Sequence, residues 1–573
     1  MQASDETIRQ TIAALNAGAE RFFAQLMSTR RGSANLDTAA VVAAINAAIQ
    51  QDPARWEAMQ QRHSREQISL WQRLAQGETT PPPEQPDRRF RAPEWYTLPY
   101  FNYLRASYLL NASWLTEMTA ALPLTGRDRQ RMDFFTRQLI DATAPANFAA
   151  TNPEVIKLAA ESNGASLRCG LELLGADLRK NRITQCDEAA FEVGRNIAVT
   201  PGEVVFENEL MQLIQYRPQT ATVHARPLVM VPPCINKYYI LDLQPENSFV
   251  RFAVTKGHTV FMVSWRNVPE TLGHISWDQY LELGVISAIR MAREICAVKQ
   301  VNTLGFCVGG TLLAAALAVL HARGERPAAS VTLLTTMLDF RDTGELSVFV
   351  DEDYVSGREA QYATGGVMRG EELALTFASL RANDLIWPYV INGYLKGRKP
   401  EAFDLLSWNS DSTNLPGAMY NYYVRNTYLE NNLCVAGRLT MCGVPVDLGR
   451  IDIPAYLMAS QEDHIVPWRT AWENNRLLKG KNTFVLAASG HIAGVINPAT
   501  KNRRHYWHGA ESAASADHWL AAASREAGSW WAHWARWLGR RGGGRIAAPV
   551  IAGSTIHRPL EPAPGRYVRQ RCD

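Results

Sequence analysis

The sequence predicts an α/β fold: a doubly wound parallel sheet carrying a cap insertion, preceded by a mainly helical domain. Three observations predict it. From about residue 200, short β-branched apolar runs alternate with longer amphipathic stretches, the pattern of parallel strands joined by crossover helices. One run leads directly into Gly305-Phe306-Cys307-Val308-Gly309 and then a helical segment. Two later runs are followed by Asp463 and by His491.

A chain of 573 residues exceeds one ordinary core, so two domains are expected, 1–195 and 196–573. In the first, Ile8, Ile12 and Leu15 fall at helical spacing, and Trp56 to Leu74 is a charged amphipathic stretch. A breaker run, TTPPPEQPDRRFRAPEW, separates these from a second helical patch at Tyr100 to Met118. Nothing there resembles a catalytic motif, and an assembly or docking role is expected.

The expected strands of the second domain are Leu228–Val231, Thr259–Trp265, Val301–Phe306, Ser330–Leu338, Ala455–Ser460 and Thr483–Ala488. Between the second and third, Leu281, Val285, Ile289, Ala292 and Cys296 mark one helix face. The alternation lapses from about 340 to 446, a stretch too long for a plain connection, which reads as a cap insertion with its own helices. The final segment from GGGRIAAPV reads as a Gly/Pro-rich surface tail.

Lys+Arg of 59 against Asp+Glu of 56 leave a net charge of +3, too small to argue for nucleic acid. The N-terminus has no basic stretch followed by an apolar one, and the longest apolar run, TLLAAALAVLHA, is about half a membrane span. A cytoplasmic location with no transmembrane segment is therefore expected. The eight cysteines form no CxxC pair and no metal-ligand spacing, so free thiols and no metal are expected. The 16 tryptophans fit large cores and interfaces better than a surface gripping an apolar substrate.

The chemistry sits at Cys307. A strand, a tight turn and a helix form the nucleophile elbow of the α/β-hydrolase fold, G-x-S-x-G with cysteine in place of serine. Glycine is needed on either side because a Cβ would clash, and the helix N-terminus favours a thiolate. The backbone N–H of Val308 points toward a developing oxyanion. In this fold the acid and then the histidine follow the nucleophile, each beyond a later strand. Asp463 follows Ala455–Ser460 and His491 follows Thr483–Ala488, which makes His491 the general base and Asp463 its orienting acid. Asp339, at an earlier strand end, is an alternative acid, and His464 is expected to make a supporting contact. The second oxyanion donor should come from Pro232–Tyr239, where proline cannot donate; Ile235 is the choice, with Cys234 close behind.

Several strings also resemble a known family. PPCINKYYILDLQPENSFVRF, HTVFMVSWRN, LGFCVGGT, FDLLSWNSDSTNLP, EDHIVPW and SGHIAGVINP look like the motifs of class I polyhydroxyalkanoate synthases. The likeness runs from about Pro81 to EPAPGRYV. It implies a substrate, (R)-3-hydroxyacyl-CoA and foremost the 3-hydroxybutyryl thioester. It also implies a polyester product in cytoplasmic granules, release of CoA, a homodimer, and no cofactor beyond the CoA carried by substrate. The family's nucleophile, acid and base fall on Cys307, Asp463 and His491. Fold and triad alone also admit a cysteine thioesterase or polyester depolymerase, which passes the acyl group to water. A non-catalytic granule-binding protein is the remaining alternative.

Overall fold

The computed structural model describes residues 38–85, 87–509 and 513–572. The expected helix at Ile8, Ile12 and Leu15 lies outside them. Two compact units emerge: the described residues up to Asp187 together with Leu375–Glu401, and Glu188–Ala374 with Ala402–Asp573. This division differs from a boundary near 195, and from a cap at 340–446 belonging wholly to the catalytic domain.

The first unit is helical. The amphipathic stretch forms the helix Pro53–Ala75, opened by Asp52, whose side chain accepts from Arg55 N–H at 3.1 Å, and by Pro53 at its first position. The second patch forms Pro99–Ala120, again with proline first. Residues 375–401 join this unit because their contacts are there. Tyr394 donates to Asp177 Oδ2 at 2.7 Å, and Gly170 leaves room for the Tyr394 carbonyl.

The second unit holds an eleven-stranded sheet, numbered in chain order: β1 Gly202–Glu207, β2 Met211–Tyr216, β3 Leu228–Val231, β4 Val260–Trp265, β5 Val301–Phe306 and β6 Ala328–Leu334. It continues with β7 Ala455–Ser460, β8 Asn482–Ala487, β9 His505–His508, β10 Ser524–Ala527 and β11 Glu561–Pro562. The order across the sheet is β10-β9-β8-β7-β6-β5-β3-β4-β2-β1-β11. The six strands from β4 to β8 in that order pair in parallel; the flanking strands are antiparallel. β3, β4, β5 and β7 are buried throughout, which is why they read as unbroken apolar runs rather than alternating ones. The expected helix face is buried too, with Leu281, Val285, Ile289 and Ala292 fully covered, although Tyr280–Ile286 is wound as a π-helix.

Three expectations are corrected. The β1–β2 hairpin precedes the expected first strand, and Asn208 closes its turn by accepting from Leu210 and Met211 N–H at 3.0 and 2.9 Å. β6 ends at Leu334 rather than Leu338: Thr335 turns to φ 40° and donates its N–H across to the Met458 carbonyl at 2.7 Å. The C-terminal segment is a surface tail only in part, with Val550, Ile551 and Ile556 exposed. Arg545–Ala547 pairs with Thr222–His224, β11 completes one sheet edge, and Tyr567 and Val568 are buried. Among the described residues no helix is long and apolar enough to cross a membrane.

Candidate active site

Parallel strands present their carboxyl ends along one edge, and there the loops after β5, β7 and β8 meet. At the end of β5 the chain reverses into the helix Val308–Ala322, with Cys307 between them at φ 54° and ψ −127°. A non-glycine residue adopts such a backbone only under compulsion from its surroundings. Here the Cys307 N–H donates to the Leu334 carbonyl at 2.9 Å, and the Cys307 carbonyl accepts from Gly310 N–H at 2.8 Å and Thr336 Oγ1 at 3.3 Å.

The glycines at 305 and 309 do what their spacing suggests. A Cβ on Gly305 would fall inside the Gly310 backbone, and one on Gly309 inside the Val231 and Pro232 carbonyls. Gly310 is a third such position, missed in the sequence, where a Cβ would overlap Thr336. The early end of β6 therefore has a purpose: Thr336 packs under the elbow, while Thr311 and Asn474 hold the turn through the Met337 and Thr336 carbonyls at 2.9 and 2.8 Å.

Asp463 and His491 come together. His491 Nδ1 lies 2.6 Å from Asp463 Oδ2, and both side chains are nearly or wholly shielded from solvent. A carboxylate only accepts, so Nδ1 carries the hydrogen and Nε2 is left for the sulfur. Asp463 Oδ1 accepts from Ile465 and Val466 N–H at 2.9 and 2.8 Å, which fixes the carboxylate without a counter-cation. His491 opens a short helix, Gly494 giving it room against Ser460, and its ring stacks on Phe306 with centroids 5.7 Å apart. Burial alone would depress the imidazole pKa. The Asp463 carboxylate and a hydrogen-bonded Cys307 outweigh it and carry His491 up to about 10.

The rival acid is engaged elsewhere. Asp339 accepts from Arg341 N–H at 2.9 Å and from Asn431 Nδ2 at 2.8 Å. His464 neighbours the acid in sequence and is half-buried, while Asp463 Oδ2 is bonded to His491.

Val308 begins the elbow helix, where the first N–H groups have no partner within the helix. The loop Pro232–Lys237 lies directly against that helix start, as the crowding at Gly309 shows. Trp265 Nε1 donates to the Pro232 carbonyl at 3.0 Å, and the Ile235 carbonyl accepts from Thr413 N–H at 3.0 Å. Cys234 in the same loop is fully buried, which pushes its thiol up to about 12 and leaves it a poor nucleophile.

Two tyrosines in the helical stretch 417–429 were not placed at the site by the sequence. Tyr423 and Tyr428 pack edge to face at 5.7 Å, and burial together with the Cys307 sulfur raises both phenols. Trp277 stacks on Tyr423 at 5.4 Å and Phe340 meets Tyr428 at 5.0 Å, which joins the two phenols that interact with the sulfur into an aromatic cluster. The aromatic run MYNYYVRNTYL carried the signal; its destination was not visible.

Fold and site together define an α/β-hydrolase-fold protein with a cysteine at the nucleophile elbow and an Asp–His pair beyond later strands. Residues 227–498 match the α/β-hydrolase-fold family model, and 86–253 match the model described as poly-beta-hydroxybutyrate polymerase (PhaC) N-terminus. The poly(3-hydroxyalkanoate) polymerase subunit PhaC of Cupriavidus necator is 54% identical over 526 residues, covering 91% of this chain and 89% of that protein. The same-named subunit of Rhizobium meliloti is 40% identical, with 88% and 84% covered, and the polymerase of Methylorubrum extorquens 42%, with 87% and 83% covered. The chain belongs to the poly(3-hydroxyalkanoate) polymerase family.

Proposed function

We propose that the chain polymerises (R)-3-hydroxyacyl-CoA, with (R)-3-hydroxybutyryl-CoA as preferred monomer, through a thioester on Cys307. The observation that carries this reading is the 2.6 Å contact of His491 with Asp463, beside a cysteine held at φ 54° on the elbow.

His491 Nε2 takes the thiol proton, and the sulfur attacks the acyl carbon of the CoA thioester. The new bond is again a thioester, so the acyl group stays activated while the C–S bond to CoA breaks and the proton passes from His491 Nε2 to the departing CoA sulfur. Val308 and Ile235 N–H groups receive the negative charge on the carbonyl oxygen. Chain growth then needs a 3-hydroxyl as acceptor. His491 removes its proton, the oxygen–carbon bond forms, the Cys307–acyl bond breaks, and the proton returns to the departing sulfur. Ester formation from a thioester is downhill. The aromatic wall of Tyr423, Tyr428 and Phe340 shields this carbon from water, the competing acceptor.

The reading calls on no resident metal or organic cofactor; CoA enters with substrate and leaves as product. Two copies of the chain act together at the surface of a cytoplasmic polyester granule, with the helical unit serving assembly or docking. The test is CoA release from (R)-3-hydroxybutyryl-CoA with sizing of the acyl product. High-molecular-weight polyester, lost in Cys307→Ala, is expected. Free 3-hydroxybutyrate as the main product would overturn the reading in favour of a thioesterase.

A further inference from the structure

The last residues of the chain thread back to the loop that carries Ile235. Lys237, two residues beyond Ile235, is a lysine with only 2% of its surface exposed. Its ammonium donates to the Gln570 backbone carbonyl, and its own carbonyl accepts from Trp408 Nε1 at 2.7 Å. Burying a lysine is costly unless its charge is well partnered, so this placement is specified rather than incidental. Asn267 Nδ2 donates to the Arg571 carbonyl at 2.7 Å, and Cys572 Sγ lies 2.9 Å from the Ser412 carbonyl. Ser412 is bridged to Asn236, and Thr413 N–H holds the Ile235 carbonyl. Three segments are thus stacked: the loop 235–237, the stretch 411–414, and the tail 570–572. Behind them, Asn414 N–H donates to Asn267 Oδ1 at 3.0 Å, so the same asparagine grips tail and middle segment.

None of these contacts touches Cys307, Asp463 or His491. They act on the loop after β3, which carries the second oxyanion donor. We propose that Gln570–Cys572 form a clasp, with Lys237 as the positioning residue it holds, that sets the Ile235 N–H at oxyanion distance. The inference rests on the assignment of Ile235 as an oxyanion donor in the proposed function.

The test uses two variants: Lys237→Met in the full chain, which keeps most of the length of the side chain and removes the donor, and a chain ending at Arg569. Losing one oxyanion donor outright costs about 100- to 1000-fold in kcat, and a loosened loop should lose on the order of tenfold. The expected result is that kcat for CoA release falls about tenfold or more in each, with KM within about twofold, by that same reasoning. Inactivation of Cys307 by iodoacetamide should keep its parent rate, because the Cys–His pair is untouched. The double variant should be no worse than the worse single one, since the Lys237 contact is already lost in the shortened chain. Parent kcat in Lys237→Met overturns the proposal, and so does a kcat loss matched by an equal loss of alkylation rate or multiplying in the double variant. If the shortened chain does not fold, Lys237→Met alone decides. Cys307→Ala is assayed in parallel: retained CoA release there removes the underlying reading and is a different outcome from an unaffected Lys237→Met.

Discussion

Replacing Asp463 with asparagine separates the two services that the carboxylate performs. Its Oδ1 accepts two backbone N–H groups, at 2.9 and 2.8 Å, and its Oδ2 accepts from His491 Nδ1 at 2.6 Å. An amide has one oxygen, and the two loop N–H groups will claim it. The NH2 then faces Nδ1, which must become an acceptor, and the hydrogen moves to Nε2, the nitrogen that should receive the proton of Cys307. In a Ser–His–Asp enzyme the same change of tautomer costs about 10,000-fold in kcat, and a loss on the order of 1000-fold or more is expected here. The substitution also removes the charge that lifts His491 to about 10. The sign is definite. In the parent the raised pKa favours the imidazolium that forms beside the sulfur when Nε2 takes the thiol proton, and the variant loses that support. Iodoacetamide inactivation should therefore slow at neutral pH in the variant, and the gap should narrow as pH rises through the parent's His491 pKa. Inactivation and CoA release are measured from pH 6 to 9.5 in parent and variant. A parent-like alkylation profile, or turnover within tenfold of the parent, would refute the assigned role of Asp463.

The other expectations concern the elbow and the rival groups. Gly309→Ala puts a methyl group into the Val231 and Pro232 carbonyls, so CoA release should fall by about 100-fold, the scale of a lost oxyanion donor; activity within threefold of the parent would count against the elbow geometry. Asp339→Asn should leave kcat within about threefold, because its partners are Arg341 and Asn431, whereas a loss as deep as that of Asp463→Asn would make it the acid. His491→Gln should lower both the first CoA burst and chain growth, read separately by rapid quench and by product sizing; growth at the parent rate would assign the hydroxyl proton to another base.

The legible parts of this fold are those where local sequence and tertiary environment agree. Buried parallel strands must be apolar on both faces, so β3, β4, β5 and β7 announce themselves. The elbow shows because only glycine fits where backbones touch, and chain order then locates Asp463 and His491. Other features were hidden for stated reasons. β9 and β10 are short, and β10 is exposed at all four positions, so neither leaves an apolar signature. Residues 375–401 look like part of the cap because their partners, such as Asp177 for Tyr394, lie more than two hundred residues away. The end of β6 turns on Thr335, whose φ of 40° is imposed by a neighbouring strand. Tyr423 and Tyr428 stood out as aromatic residues, but which wall they would build depends on how the insertion folds back. The C-terminal residues carried no periodic signal at all, since they are held by backbone carbonyls and one buried lysine.

The central claim is that the growing acyl group is carried on Cys307. The most direct measurement is acid quench of the enzyme during turnover with (R)-3-hydroxybutyryl-CoA, followed by peptide mapping by mass spectrometry. The account predicts 3-hydroxybutyryl units on the peptide containing Cys307, lost on treatment with hydroxylamine and absent in Cys307→Ala. Acyl groups on any other residue, or polymer formed with no acyl-enzyme at that cysteine, would contradict it.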